Sequence, residues 1–94
     1  MVVKKRIHVF YAGRVQGVGF RATVEEIAQG VGVVGWIKNL RDGRVELVAE
    51  AEETLLERFL EAIRTSSMRN FINHTDISWG MASDTFHEFE IRYY

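Results

Sequence analysis

Gly13-Arg14-Val15-Gln16-Gly17-Val18-Gly19-Phe20-Arg21 is the stretch that decides the fold. Before it, residues 6–12 alternate, with Ile7, Val9 and Tyr11 on one side and His8, Phe10 and Ala12 on the other, as a partly buried strand would. After it, Phe20, Val24, Ile27, Ala28 and Val31 fall three and four residues apart, a single stripe on a helix that Gly30 and Gly32 are expected to end. The segment therefore leaves a strand and enters a helix. Its glycines let successive N–H groups converge, and the helix N-terminus adds about half a positive charge at the same place, which is the geometry of an anion-binding loop. Arg21 falls in the first helical turn, where a cation opposes the helix dipole unless a bound anion reverses the effect. The bare pattern is equally compatible with a flexible turn followed by a solvated arginine.

Working outward, residues 33–40 and 44–50 are β-rich and separated by Arg41-Asp42-Gly43, a hairpin signal because Asp and Gly both tolerate positive φ. Val45, Leu47 and Ala49 alternate with Glu46, Val48 and Glu50, giving one mostly apolar face. A second helix is predicted from Leu56, Phe59, Leu60 and Ile63, with Glu52, Glu53, Glu57 and Glu61 toward water or the N-terminal end of its dipole. Residues 65–74 read as a connecting loop. Ile77, Trp79 and Met81 then alternate, as do Phe89, Ile91 and Tyr93, so both segments read as strands. The order predicts an α+β fold, a ferredoxin-like βαββαβ sandwich in which an antiparallel sheet carries two helices on one face and gains an extra C-terminal strand.

The 94 residues suit one domain spanning 1–94, and their 47% hydrophobic content is enough for one core. With no cysteine, stability must come from ordinary packing, and a reducing compartment is compatible with that usage. A net charge of −1 supplies no broad basic field for a nucleic-acid backbone or an anionic membrane. The opening Met-Val-Val-Lys-Lys-Arg resembles the charged start of a signal peptide, but the apolar run after it is broken by His8 and stops at Gly13. No stretch approaches the roughly 18 apolar residues needed to span a bilayer. The expectation is a cytoplasmic monomer acting on a small molecule, without nucleic acid, membrane, metal or other cofactor; His8, His74 and His87 share no ligand spacing.

Two further patterns are set aside. Gly30-Val31-Gly32-Val33-Val34-Gly35 matches the dinucleotide fingerprint, but that fingerprint requires a strand before it and a helix after it, and here the order is reversed. No lysine follows Gly17 or Gly19, so the nucleoside-triphosphate loop is absent as well. Ferredoxin-like folds also host RNA-binding modules, yet Arg44-Val45-Glu46-Leu47-Val48 lacks their basic-glycine-aromatic segment.

The block 13–21, taken with Gly-Trp-Ile-Lys-Asn-Leu-Arg-Asp-Gly-Arg-Val-Glu at 35–46, closely resembles the acylphosphatases, and the resemblance runs through Phe59 to Phe89-Glu90-Ile91-Arg92. It implies the ferredoxin-like sandwich and hydrolysis of an acyl phosphate. It further implies that Arg21 binds the phosphoryl oxygens together with the N–H groups of the loop, Val15, Gln16, Gly17, Val18, Gly19 and Phe20, and that Asn39 orients the attacking water. The chain departs from the family after the second helix, where Thr65-Ser66-Ser67-Met68 replaces a Gly-Pro, and near Ala51, where a glycine is usual. The implied chemistry needs few residues. Cleaving the P–O bond of a carboxylic-phosphoric anhydride releases a carboxylate whose conjugate acid has a pKa of about 4, so the leaving group departs without a donated proton and no catalytic histidine, cysteine or carboxylate pair is required. A non-catalytic domain binding a small anion or regulatory ligand is the alternative.

Overall fold

The computed structural model describes residues 2–93; Met1 and Tyr94, the ends of the expected domain, lie outside them. The alternation at 7, 9 and 11 becomes the inner face of β1 (Lys4–Gly13), where Ile7, Val9 and Tyr11 are buried. Antiparallel pairing with β3 (Val45–Glu52) sets Ile7 beside Ala49, Val9 beside Leu47 and Tyr11 beside Val45, so one face of the sheet is continuously apolar. β2 (Val34–Asn39) continues that face by pairing Ile37 with Leu47.

Helices α1 (Phe20–Val31) and α2 (Glu53–Arg64) cover it, burying Phe20, Val24 and Ala28 from one and Leu56, Phe59 and Ile63 from the other. The Phe20 ring meets Tyr11 edge-on at 5.1 Å, and Phe59 meets Phe89 at 6.0 Å. β4 (Ile72–Met81) forms one edge beyond β1, and β5 (Phe89–Arg92) forms the other beyond β2, giving the order β4-β1-β3-β2-β5. The ferredoxin-like βαββαβ arrangement with a C-terminal strand is present. β5 runs parallel to β2, so the five-stranded sheet is mixed.

Several local expectations are corrected. Gly30 lies inside α1, and Gly32 alone ends the helix, with φ of 95° and its N–H donated to the Ala28 carbonyl at 2.8 Å. In the β2–β3 turn only Gly43 takes positive φ. Asp42 contributes through its side chain, accepting the Arg44 N–H at 3.0 Å and Arg44 Nε at 2.8 Å. The supposed loop 65–74 contains a 3₁₀ turn, Arg69–Phe71, and surrenders residues 72–74 to β4, because pairing with β1 outweighs their loop-like composition. Helix α2 stops without Gly-Pro because the Thr65 and Ser66 hydroxyls bond the Glu61 and Ile63 carbonyls at 2.9 and 2.8 Å. Ile77, Trp79 and Met81 do share the helix-side face, opposite Val9, Ile7 and Lys5, but this edge lies beyond the helices and they remain exposed.

Among the described residues, the opposite face carries one buried charge. Glu50, 2% exposed, accepts from Arg6 Nε (2.8 Å), the Ser83 N–H (2.8 Å), the Ser83 hydroxyl (2.9 Å) and the Asp84 N–H (3.0 Å). It thereby pins residues 83–84 against the sheet.

Candidate active site

The turn from β1 into α1 is shaped by backbone conformations that only glycine takes easily. Gly13 approaches the β4 side so closely that a Cβ there would sit 2.2 Å from the Phe71 carbonyl oxygen, which also accepts the Arg14 N–H at 2.9 Å. Further on, Gly17 and Gly19 have φ of 77° and 86°, which bends the chain back before the helix begins. Val15 plugs this bend into the core at 1% exposure, and Val18 packs on the core's margin.

Helix α1 opens on Gly19 with no side-chain cap and no acidic residue in its first turn. Its first N–H groups therefore keep their donor capacity, and its positive dipole end is uncompensated by the chain itself. Among the described residues, the amides at 15–19 donate neither to a carbonyl outside the helices and strands nor to a side chain.

A pocket of about 180 Å³ lies at this helix end, lined by Val15, Gly17, Gly19, Phe20, Arg21, Ala22, Asn39, Ile91 and Tyr93. Larger hollows elsewhere, between α2 and β4, between α1 and β5, and along the β1–β4 edge at Lys4 and Trp79, contain none of the expected site residues. The small pocket joins the two motif blocks, because Arg21 comes from α1 and Asn39 from the last position of β2. Arg21 makes no ion pair among the described residues; its guanidinium lies over the Tyr93 ring, with Cζ 4.9 Å from the centroid. The Asn39 Oδ1 is buried and, among the described residues, has no hydrogen-bond partner. An unpartnered buried acceptor is costly unless a ligand or water donates to it.

Of the loop residues expected to contact an anion, Val15, Gly17, Gly19 and Phe20 line the pocket, while Gln16 and Val18 do not. Gln16 directs its side chain to the β2–β3 turn, donating to the carbonyls of Leu40 at 2.7 Å and Arg44 at 3.0 Å. In the sequence, Ile91 and Tyr93 show only as alternating strand residues. They reach the pocket because β5 lies parallel to β2, with Ile37 beside Ile91 and Lys38 beside Arg92, so Tyr93 follows Arg92 where Asn39 follows Lys38. A period of two is the same for parallel and antiparallel strands, so alternation held no signal of this. No group of three or more His, Cys, Asp or Glu suited to a metal ion occurs among the described residues.

Fold and pocket together define an α+β sandwich with a glycine-shaped strand-to-helix loop, an arginine in the first helical turn and a neighbouring amide. The acylphosphatase family model matches residues 7–91. The chain is 40% identical to an acylphosphatase of Roseiflexus sp. (strain RS-1), across 84% of this chain and 85% of that one, and 37% identical to an acylphosphatase of Salinibacter ruber, across 95% and 94%. The crystal structure of acylphosphatase from Bacillus subtilis superposes with a TM-score of 0.88 at 36% identity, covering 95% of this chain and 99% of that one. This chain belongs to the acylphosphatase family, and its enzyme class follows from that membership.

Proposed function

We propose that the pocket hydrolyses the carboxyl–phosphate bond of an acyl phosphate, giving a carboxylate and inorganic phosphate, without a metal ion. The observation that carries this reading is the meeting, in one pocket, of the uncapped N-terminus of α1, Arg21 and the unpartnered Asn39 Oδ1. Arg21 offers a planar fork of donors to two phosphoryl oxygens, and the amides from Val15 to Phe20 bond the equatorial charge that the transition state spreads over the phosphoryl group. The Asn39 carbonyl accepts a hydrogen bond from water and holds that water near the phosphorus, in line with the departing carboxylate. The water's proton passes to a phosphoryl oxygen of the substrate, and the P–O electrons leave with the carboxylate. The residues divide the labour: Arg21 and the loop bind the anion, and Asn39 supplies the nucleophile's position.

Hydrolysis of benzoyl phosphate in excess chelator, beside an ordinary phosphate monoester and with inorganic phosphate as competitor, tests the proposal. Chelator-resistant cleavage of the acyl phosphate alone, inhibited by phosphate, is expected. Phosphate binding without cleavage would favour a non-catalytic anion-binding domain.

A further inference from the structure

The loop carries a side chain that the proposed chemistry does not use. The two hydrogens of the Gln16 amide are directed to the Leu40 carbonyl at 2.7 Å and the Arg44 carbonyl at 3.0 Å. These carbonyls belong to the two ends of one closed turn, since the Leu40 N–H itself donates to the Arg44 carbonyl at 2.8 Å. Leu40 directly follows Asn39 in the chain. The amide therefore fastens the middle of the anion-binding loop to the strand end that presents Asn39.

Other attachments of the loop lie on both sides of this point, with Val18 packing on the core's margin and Phe20 buried beyond it. Val15 is buried in the core, and the Arg14 N–H is bonded to Phe71. Flanking Val18, between Gln16 and Phe20, are Gly17 and Gly19, around whose Cα atoms an added Cβ would meet nothing within 4 Å. Glycine backbone with open space around it has wide conformational freedom, so the N–H groups beyond Gln16 need a fixed point to converge on one spot. With both amide hydrogens committed to the turn, the Gln16 side chain has no donor left for phosphate, and its remaining polar atom, Oε1, is an acceptor that an anion avoids.

We propose that Gln16 is a positioning residue. Its side chain touches no substrate and sets the spacing and orientation of the loop amides at 17–20 relative to Asn39. This inference rests on the hydrolase reading above, and it predicts that the strap acts on anion binding and turnover through the loop's order.

Gln16→Met tests it, because methionine matches glutamine in length and lacks the donors. The expected result is a fall in kcat/KM of about tenfold or more, a comparable weakening of inorganic phosphate binding by calorimetry, and faster hydrogen exchange at the amides of Gly17 to Phe20. Unfolding stays cooperative, and exchange at the β1–β3 pairing is unchanged. Wild-type kcat/KM and phosphate affinity in a folded Gln16→Met protein, with only the melting temperature lowered, would overturn the proposal and make Gln16 a simple staple. Should Gln16→Met fail to fold, Gln16→Asn, whose amide falls one methylene short of the turn, takes the same three measurements and is judged by the same outcomes. The hydrolase reading fails separately. A wild-type protein that binds phosphate but leaves benzoyl phosphate intact defeats that reading, while weaker phosphate binding and faster loop exchange in Gln16→Met would still support the strap.

Discussion

Glu50 and Asn39 are both polar groups drawn into the same sheet, on adjacent strands, and the chain treats them in opposite ways. Four donors from Arg6, Ser83 and Asp84 converge on the Glu50 carboxylate, whereas the Asn39 Oδ1 has no partner among the described residues. Burying a polar atom is tolerable when hydrogen bonds replace those lost to water. At Glu50 the protein supplies every replacement, and the result is a lock between the sheet and the segment around residue 83. At Asn39 it leaves the position open beside a free helix N-terminus and an arginine, so the bond that completes it must come from what enters the pocket.

The strongest way to break this contrast is Arg21→Ala. If the pocket serves to bind an anion, removing its charge lowers kcat/KM by about 10³-fold or more and weakens phosphate binding in parallel, because binding and transition-state stabilisation share the same donor fork. Benzoyl phosphate kinetics with phosphate inhibition would measure both. Asn39→Ala sharpens the distinction further: kcat falls by about 10²-fold while the inhibition constant for phosphate moves by no more than about twofold, since the water site is lost and the anion site is kept. Equal loss of phosphate affinity in the two variants would defeat the division of roles.

Glu50 should answer in stability instead of activity. Glu50→Ala leaves Arg6 without its partner and exposes the Ser83 and Asp84 donors. Arg6 is about a third exposed and regains water, so the cost falls at the lower end for a broken buried pair, about 3 kcal/mol, or on the order of 15 °C in melting temperature. Activity per folded molecule is expected to stay within about twofold. The same group gives an acid limb to stability. Burial pushes the Glu50 carboxyl up, but the hydrogen bonds from the Ser83 N–H, Arg6, the Asp84 N–H and the Ser83 hydroxyl together outweigh it and hold the pKa below the ordinary value of 4.5. A depressed folded pKa means stability that is complete above about pH 4.5 and lost as pH falls through the folded value. Thermal melts from pH 6 down to pH 3 should therefore be steeper for the wild type than for Glu50→Gln.

The contrast also separates what the sequence announces from what it conceals. Strand and helix periods at Ile7-Val9-Tyr11 and Phe20-Val24-Ala28 follow from one buried face each, so the elements are legible locally, and Arg21 and Asn39 stand inside the two matched blocks. The Glu50 lock is not legible, because Arg6 lies 44 residues earlier and the other donors 33 and 34 residues later, in a segment without periodicity. The Gln16 strap is hidden for a related reason. Its acceptors are backbone carbonyls 24 and 28 residues away, and every residue has a carbonyl, so no side-chain pattern records the choice. The exposure of Ile77 and Trp79 escapes local reading too, since alternation tells which face a residue joins and not whether a helix reaches far enough to cover it.

Tyr93 gives the smallest of the expected effects and the finest probe of the open site. The residue is 77% exposed, yet its ring lies against the one cation of the pocket, holding the Arg21 guanidinium by its face and leaving the in-plane N–H fork available to an anion. A cation–π contact this exposed is worth about 0.5–1 kcal/mol, so Tyr93→Ala should raise KM and the phosphate inhibition constant by about two- to fivefold with kcat nearly unchanged. Tyr93→Phe keeps the ring face and should behave as the wild type. If both variants lose affinity equally, the hydroxyl matters instead of the ring; if kcat falls while affinity holds, Tyr93 acts on the side of Asn39 and the water, and the boundary between the two halves of the pocket must be redrawn.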